Sequence, residues 1–407
     1  MSTIKRVSVD QLEPGMYIHD LNCGWMYHDF LLPRFRIDDR ATIQKIVDNG
    51  IREVYIDTAK GDDLRSAPTR VDINRELEGR MRSLQDLHRD LNVRTISLEE
   101  ERRRAGGIYR AATTTIQGLL EDTRLGRQLE VDRLDPLIER MTDSIFRHND
   151  ALIPLARLKR HDSYTFEHAV ASSALMVAFG RSMGFERQTI HEIATGAMLQ
   201  DVGMASVPTA IVDKPAAISH EEAELMRGHV EQSHLLMSDL GCLPDSAMTV
   251  ISQHHERIDG TGYPYRLAGD DISVYGQMAA IVDVYDAMTS PRPYRAAMTP
   301  TAALRKLFEW GRHHFNLDLV QGFIRTIGIY PVGTLVMLES GRLAVVIEQT
   351  DNLLQPKVRM FYNAKTGNFI PQETLTIGRG AGANHGPIVS HESFERWRLD
   401  PAHWIPT

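Results

Sequence analysis

Cysteine is nearly absent from this 407-residue chain: Cys23 and Cys242 are all there is. Two thiols exclude a disulfide framework and a cysteine-based zinc site, and point to a reducing compartment, taken here as the cytoplasm. No apolar run approaches the ~18 residues of a spanning helix. The opening residues Met1–Asp10 lack the apolar stretch of a secretory leader. Positive charge is not in excess either, with 46 Lys and Arg against 54 Asp and Glu, a net charge of -8. Such a balance argues against extended nucleic-acid binding, while leaving room for a local basic pocket that holds a small anion. Hydrophobic residues at 42% and charged residues at 25% are ordinary for a globular chain long enough for two to four domains. The abundance lies elsewhere, in 17 histidines, several placed beside aspartates mid-chain.

Four regions follow from the pattern. Residues 1–62 read as a small α+β domain: Val7, Val9 and Leu12 alternate before the Pro14-Gly15 turn, Asp38-Asp39 opens a helix through Ile43, Ile46 and Val47, and Val54–Ile56 returns as a strand. Residues 63–129 read as a charged helical linker, with Glu99–Arg104 as a solvated face. Residues 130–328 are helix after helix, and 329–407 change to the alternation of a small β subdomain. The fold class expected is therefore mainly α, flanked by a small α+β domain and a small β subdomain.

Within the helical region, polar groups fall on apolar stripes. Asp201 continues the stripe Ile190, Ala194, Ala197. A capping box at Ser219–Glu222 opens a helix read as running to Gly241, with His229 on its inward face beside Met226, Ser233 and Leu236. His254 and His255 follow Val250 and Ile251 by four residues each, and Asp283 and Asp286 share one face of an Ala- and Val-rich helix. A single His on an apolar face is ordinarily a core histidine bonded to backbone, and a single buried Asp is ordinarily a cap or an ion-pair partner. Buried carboxylates cost several kcal/mol unless paired or bound to metal. The adjacent His254-His255 pair with Asp201 and Asp283 suits a divalent first-row metal, since imidazole and carboxylate compensate one another around such an ion.

His254-His-Glu-Arg-Ile-Asp-Gly-Thr-Gly-Tyr-Pro264 resembles the HHExxDGxGYP signature of the HD-GYP group of HD-domain phosphohydrolases. The resemblance covers about 160–328 and includes Tyr164–His168, Asp213-Lys-Pro215, Met226–His229 and Asp283–Arg295. The segment with Leu12–Ile18 and Trp25 is similar to the domain that often precedes HD-GYP in bacterial proteins. The family implies a phosphodiesterase that cleaves cyclic di-GMP to linear pGpG and onward to GMP, using two divalent first-row metals such as Fe or Mn. Mapped onto this chain, Asp201 would bridge, His168 and Asp283 would serve one metal, and His229, His254 and His255 the other. Tyr164 stands where some members place a third-metal Glu. Asp286 would handle the proton of the attacking water, Arg292, Arg295 and Lys214 would contact substrate phosphates, and the Gly260–Pro264 turn would orient the ligand pair and dock a signalling-protein partner. The oligomeric state is not legible.

The namesake motif departs from the family. His-Asp-x-Gly-Lys is here Gln200-Asp-Val-Gly-Met204. Gln200 offers a neutral amide in place of an imidazole, and Met204 removes a cation and proton donor near the scissile phosphate. Two expectations follow: a phosphodiesterase that tolerates both changes, or a non-catalytic module that binds cyclic di-GMP or a partner protein.

Overall fold

The computed structural model describes residues 3–23, 30, 34–84, 96–157, 164–212, 214, 218–290 and 297–405. Arg292 and Arg295 lie outside the described residues, as do Trp25 and Asp213.

The N-terminal strands β1 (Ile4–Ser8), β2 (Tyr17–Asp20), β3 (Phe35–Arg36) and β4 (Glu53–Asp57) form an antiparallel sheet in the order β1-β4-β2-β3. Helix α1 (Arg40–Asp48) begins at Asp39, whose carboxylate accepts from the Thr42 backbone N–H, and buries Ile46 beneath the sheet with Ile18, Val54 and Ile56. The expected α+β unit forms.

Beyond it, α2 (Arg70–Arg82) and α3 (Leu98–Arg124) occupy the region expected as a charged helical linker. The charge run of α3 is not a solvated face throughout. Glu101 is fully buried and pairs with Arg147 at 2.6 and 3.0 Å. Ala105, Ile108, Ala112, Ile116 and Leu120 continue its face into the core at helical spacing, so α3 is part of the helical body. The charged residues on the other faces masked this stripe.

That body comprises α4 (Asp135–Arg147), α5 (Asn149–Leu152), α6 (Tyr164–Ser182), α7 (Arg187–Leu199), α8 (Thr209–Val212), α9 (His220–Arg227), α10 (His229–Leu240), α11 (Asp245–Gln253), α12 (Val274–Thr289), α13 (Pro300–Trp310) and α14 (Leu317–Ile327). Helix α6 is buried all round, its Val170 and Val177 packing toward α3 and α4 while Met176 and Phe179 pack toward α12 and α14. A helix apolar on every side belongs at the centre of the domain. Helix α12 is similarly enclosed. These two central helices carry His168, Asp283 and Asp286.

The C-terminal strands β5 (Leu335–Leu338), β6 (Arg342–Glu348), β7 (Lys357–Asn363), β8 (Asn368–Thr376) and β9 (Ile388–Glu392) form an antiparallel sheet, order β8-β7-β6-β5-β9. One face, with Val336, Ala344 and Val358, shares a core with α2, α13 and α14. Mainly α with two flanking β-containing units is the architecture observed.

Candidate metal centre

Five helices, α6, α7, α10, α11 and α12, bring residues to one point. Helix α7 ends at Leu199, and Asp201 sits just past it, at the head of a short 3-10 turn, Val202–Ser206. The turn is pinned where Gly203 N–H donates to Ser233 Oγ at 2.8 Å. A methyl at residue 203 would come 2.2 Å from the His229 carbonyl oxygen, so only glycine fits there. The helix expected to run from the capping box to Gly241 is instead broken at Gly228. His229 is thus the first residue of α10 rather than a mid-helix residue, and its Nδ1–H donates to Met226 O at 2.5 Å across the break. His254 caps the end of α11 and donates from Nδ1 to Ile251 O at 2.9 Å, with His255 in the following turn.

These bonds fix both tautomers. With Nδ1 committed to a carbonyl, the Nε2 lone pair of each ring is the one available to a ligand. His229 Nε2 lies 3.1 Å and His254 Nε2 3.7 Å from Asp201 Oδ1. On the other side, His168 Nε2 lies 3.2 Å from Asp201 Oδ2 and 3.0 Å from Asp283 Oδ1. The two oxygens of Asp201 therefore face two separate donor groups. One comprises Asp201, His229, His254 and His255; the other His168, Asp201 and Asp283; in each, the donor atoms lie within 4.8 Å of one another. All six metal-ligand candidates from the sequence are brought together.

Electrostatics match. Burial works against ionising Asp201, yet the imidazoles of His168, His229 and His254 that face it hold its carboxyl well below the usual range. Burial likewise opposes a charged His229, but Asp201 raises its pKa. Burial, and then the neighbouring His254, push His255 well below its ordinary value, leaving a neutral imidazole. Buried N and O donors of this kind fit divalent first-row cations. Gln200, itself buried, adds an amide nitrogen with no hydrogen-bond partner.

Asp286 is not directed at the same point. It accepts from His168 Nδ1–H at 2.5 Å, on the far side of the ring from Asp201 and Asp283. Lys214 Nζ is held by the capping-box carboxylate of Glu222 at 2.6 and 2.8 Å.

Glu256, Asp259 and His314, around the glycine-rich turn, have no role in the sequence reading. Buried Glu256 accepts from the backbone N–H groups of Tyr265 and Leu267 at 2.8 and 3.1 Å, folding the turn back on itself. Tyr263 stacks on His255 with ring centroids 4.6 Å apart. Asp259 binds His314 at 2.9 Å, and that bond with those from Thr261 outweighs burial and lowers its pKa to about 2. Glu256 and Asp259 lie inside the recognised motif, so their spacing was visible; His314, 55 residues beyond Asp259, carried no signal.

The helical body and its two-sided His/Asp cluster define a metal-dependent hydrolase domain of the HD type. Residues 140–319 match the family described as HD domain, and residues 4–134 match a domain of unknown function, DUF3391. A cyclic di-GMP phosphodiesterase of Pseudomonas aeruginosa is 36% identical over 398 residues, 97% of this chain and 94% of that protein. A cyclic di-GMP phosphodiesterase response regulator of Xanthomonas campestris is 27% identical over 224 residues, covering 53% of this chain and 58% of its own length. Among solved structures, an HDG"Y"P protein from Bdellovibrio bacteriovorus aligns with a TM-score of 0.46 at 17% identity, over 79% of this chain and 98% of that one. The chain belongs to the HD-GYP family of HD-domain phosphohydrolases, whose curated relatives include cyclic di-GMP phosphodiesterases, and it carries the DUF3391 domain ahead of the HD domain. Among the described residues no helix is long and apolar enough to cross a membrane.

Proposed function

We propose that this protein is a cytoplasmic cyclic di-GMP phosphodiesterase that hydrolyses the dinucleotide to pGpG and then GMP with two divalent first-row metals, Fe or Mn. The observation that carries the reading is Asp201, which presents one oxygen to His168 and the other to His229 and His254. His168, Asp201 and Asp283 would hold one ion, and Asp201, His229, His254 and His255 the other. A metal pair supplies polarisation of the phosphoryl oxygen and activation of water for in-line attack. The protein's own groups orient and insulate that chemistry. The Met226 and Ile251 carbonyls aim His229 and His254, Tyr263 covers the face of His255, and Asp286 holds His168 in the tautomer whose Nε2 points inward. That bond supports a role for Asp286 in positioning His168, in place of the expected handling of the water's proton.

Arg292 and Arg295 are assigned to the phosphates by their place in the motif, where guanidinium groups give paired hydrogen bonds. Lys214 would join them only after leaving Glu222. The altered Gln200 and Met204 favour a second reading, a module that binds the dinucleotide without turnover. Elemental analysis tests the metal assignment: at least one divalent metal should copurify with the wild type and be lost in a folded His254→Ala/His255→Ala variant. Unchanged stoichiometry in that variant would remove the assignment.

A further inference from the structure

The N-terminal domain has no assigned role, yet it rests on the glycine-rich turn that follows the metal-facing His255. Gly50, between α1 and β4 with φ +71°, lies flat against Thr261 of the glycine-rich turn; a Cβ there would meet the Thr261 methyl at 2.3 Å. A second connection runs through the end of α13. Tyr55 Oη donates to buried Glu309 at 2.6 Å, and Trp310 Nε1 donates to the Asn22 carbonyl at 2.7 Å. Four residues beyond Trp310, His314 binds Asp259 at 2.9 Å, and its carbonyl accepts from Ile258 N–H at 3.1 Å. Asp259 in turn accepts from Thr261 Oγ1 at 2.6 Å, closing the loop at the residue Gly50 touches. From that turn Tyr263 stacks on His255 and donates its N–H to the His255 carbonyl at 3.2 Å.

We propose that the N-terminal domain positions the glycine-rich turn, and through it His255, by gripping it at Gly50–Thr261 and at Tyr55–Glu309, so that Tyr55, Glu309 and His314 are positioning residues for the site. One contact is a close van der Waals fit at the Gly50 turn and the other a hydrogen bond from Tyr55 on β4. Loosening either grip leaves Asp259 and Tyr263 with fewer restraints, and the ligand geometry of His255 relaxes with them. The face of the turn expected to receive a signalling partner is, at Thr261, already covered by this chain's own domain. The consequence for metal binding rests on the proposed function; the placement of the turn does not.

The experiment is hydrogen exchange read by mass spectrometry on the full chain, combined with Mn²⁺ titration. Tyr55→Phe removes the hydroxyl that Glu309 accepts, Trp310→Phe removes the indole donor, and Gly50→Ala forces a methyl against Thr261. Each is expected to raise exchange in the peptide spanning 256–268 about fivefold or more, with peptides of β5–β9 unchanged, and to weaken Mn²⁺ binding by a similar factor. Exchange that rises only in 50–57 and 306–314, or that rises everywhere in step, overturns the proposal. A wild type that binds no Mn²⁺ while 256–268 still responds would refute the metal reading and leave the positioning intact.

Discussion

His168 donates from Nδ1 to Asp286 at 2.5 Å while its Nε2 stands 3.0 Å from Asp283, so two aspartates three residues apart on α12 hold opposite edges of one imidazole. A carboxylate behind a ligating histidine fixes its tautomer and raises its basicity, and losing such a partner typically lowers metal affinity 10–100-fold. Asp286→Asn should therefore weaken Mn²⁺ binding at the His168 side by about that factor, with turnover falling in proportion to occupancy. Calorimetric Mn²⁺ titration beside initial rates distinguishes the roles. Wild-type affinity with lost turnover would return Asp286 to handling the water's proton.

Metal binding should depend on pH with a defined sign. In the metal-free protein His229 keeps its proton above its ordinary range because Asp201, held anionic, faces it. That proton must leave before Nε2 can coordinate, so apparent Mn²⁺ affinity should weaken as pH falls from about 8 to about 6. The stability of the metal-free chain runs the other way. A raised His pKa contributes stability that is full below the unfolded value and is lost as pH rises through the folded one. Titrations across this range, with thermal melts of the chelated protein, check both; a pH-independent affinity would contradict the His229 assignment.

Much of this centre was legible because its ligands sit at positions where apolar periodicity makes a polar residue conspicuous. Asp201 at the end of the Ile190–Ala197 stripe and the Asp283/Asp286 pair are examples. The local backbone was less legible. Gly228 is the one local sign in the sequence that the helix breaks there and presents His229 from a fresh N-terminus, and an isolated glycine is too weak a signal to decide it. The charged surface of α3 concealed Glu101 because a buried ion pair depends on Arg147, on another helix. The Tyr55–Glu309 bond joins residues 254 apart and leaves no local pattern to read.

The altered motif can be tested by reversal. Gln200 is buried with its amide nitrogen unpartnered, and it stands where the family motif has a histidine. Gln200→His should raise metal content, whereas Met204→Lys should mainly raise turnover by supplying a cation near the leaving oxygen. One preorganised donor is worth ~10²–10³ in rate in other enzymes, which bounds the gain for the double variant. Rates that neither change improves would mean that Gln200 and Met204 are benign.

The decisive measurement is product analysis of the full chain incubated with cyclic di-GMP and Mn²⁺ or Fe²⁺, the nucleotides separated by chromatography. The expected result is conversion to pGpG and then GMP, stopped by a chelator and absent from His254→Ala/His255→Ala. Cyclic di-GMP recovered intact from a metal-loaded protein that binds it by calorimetry would contradict catalysis and establish the non-catalytic module.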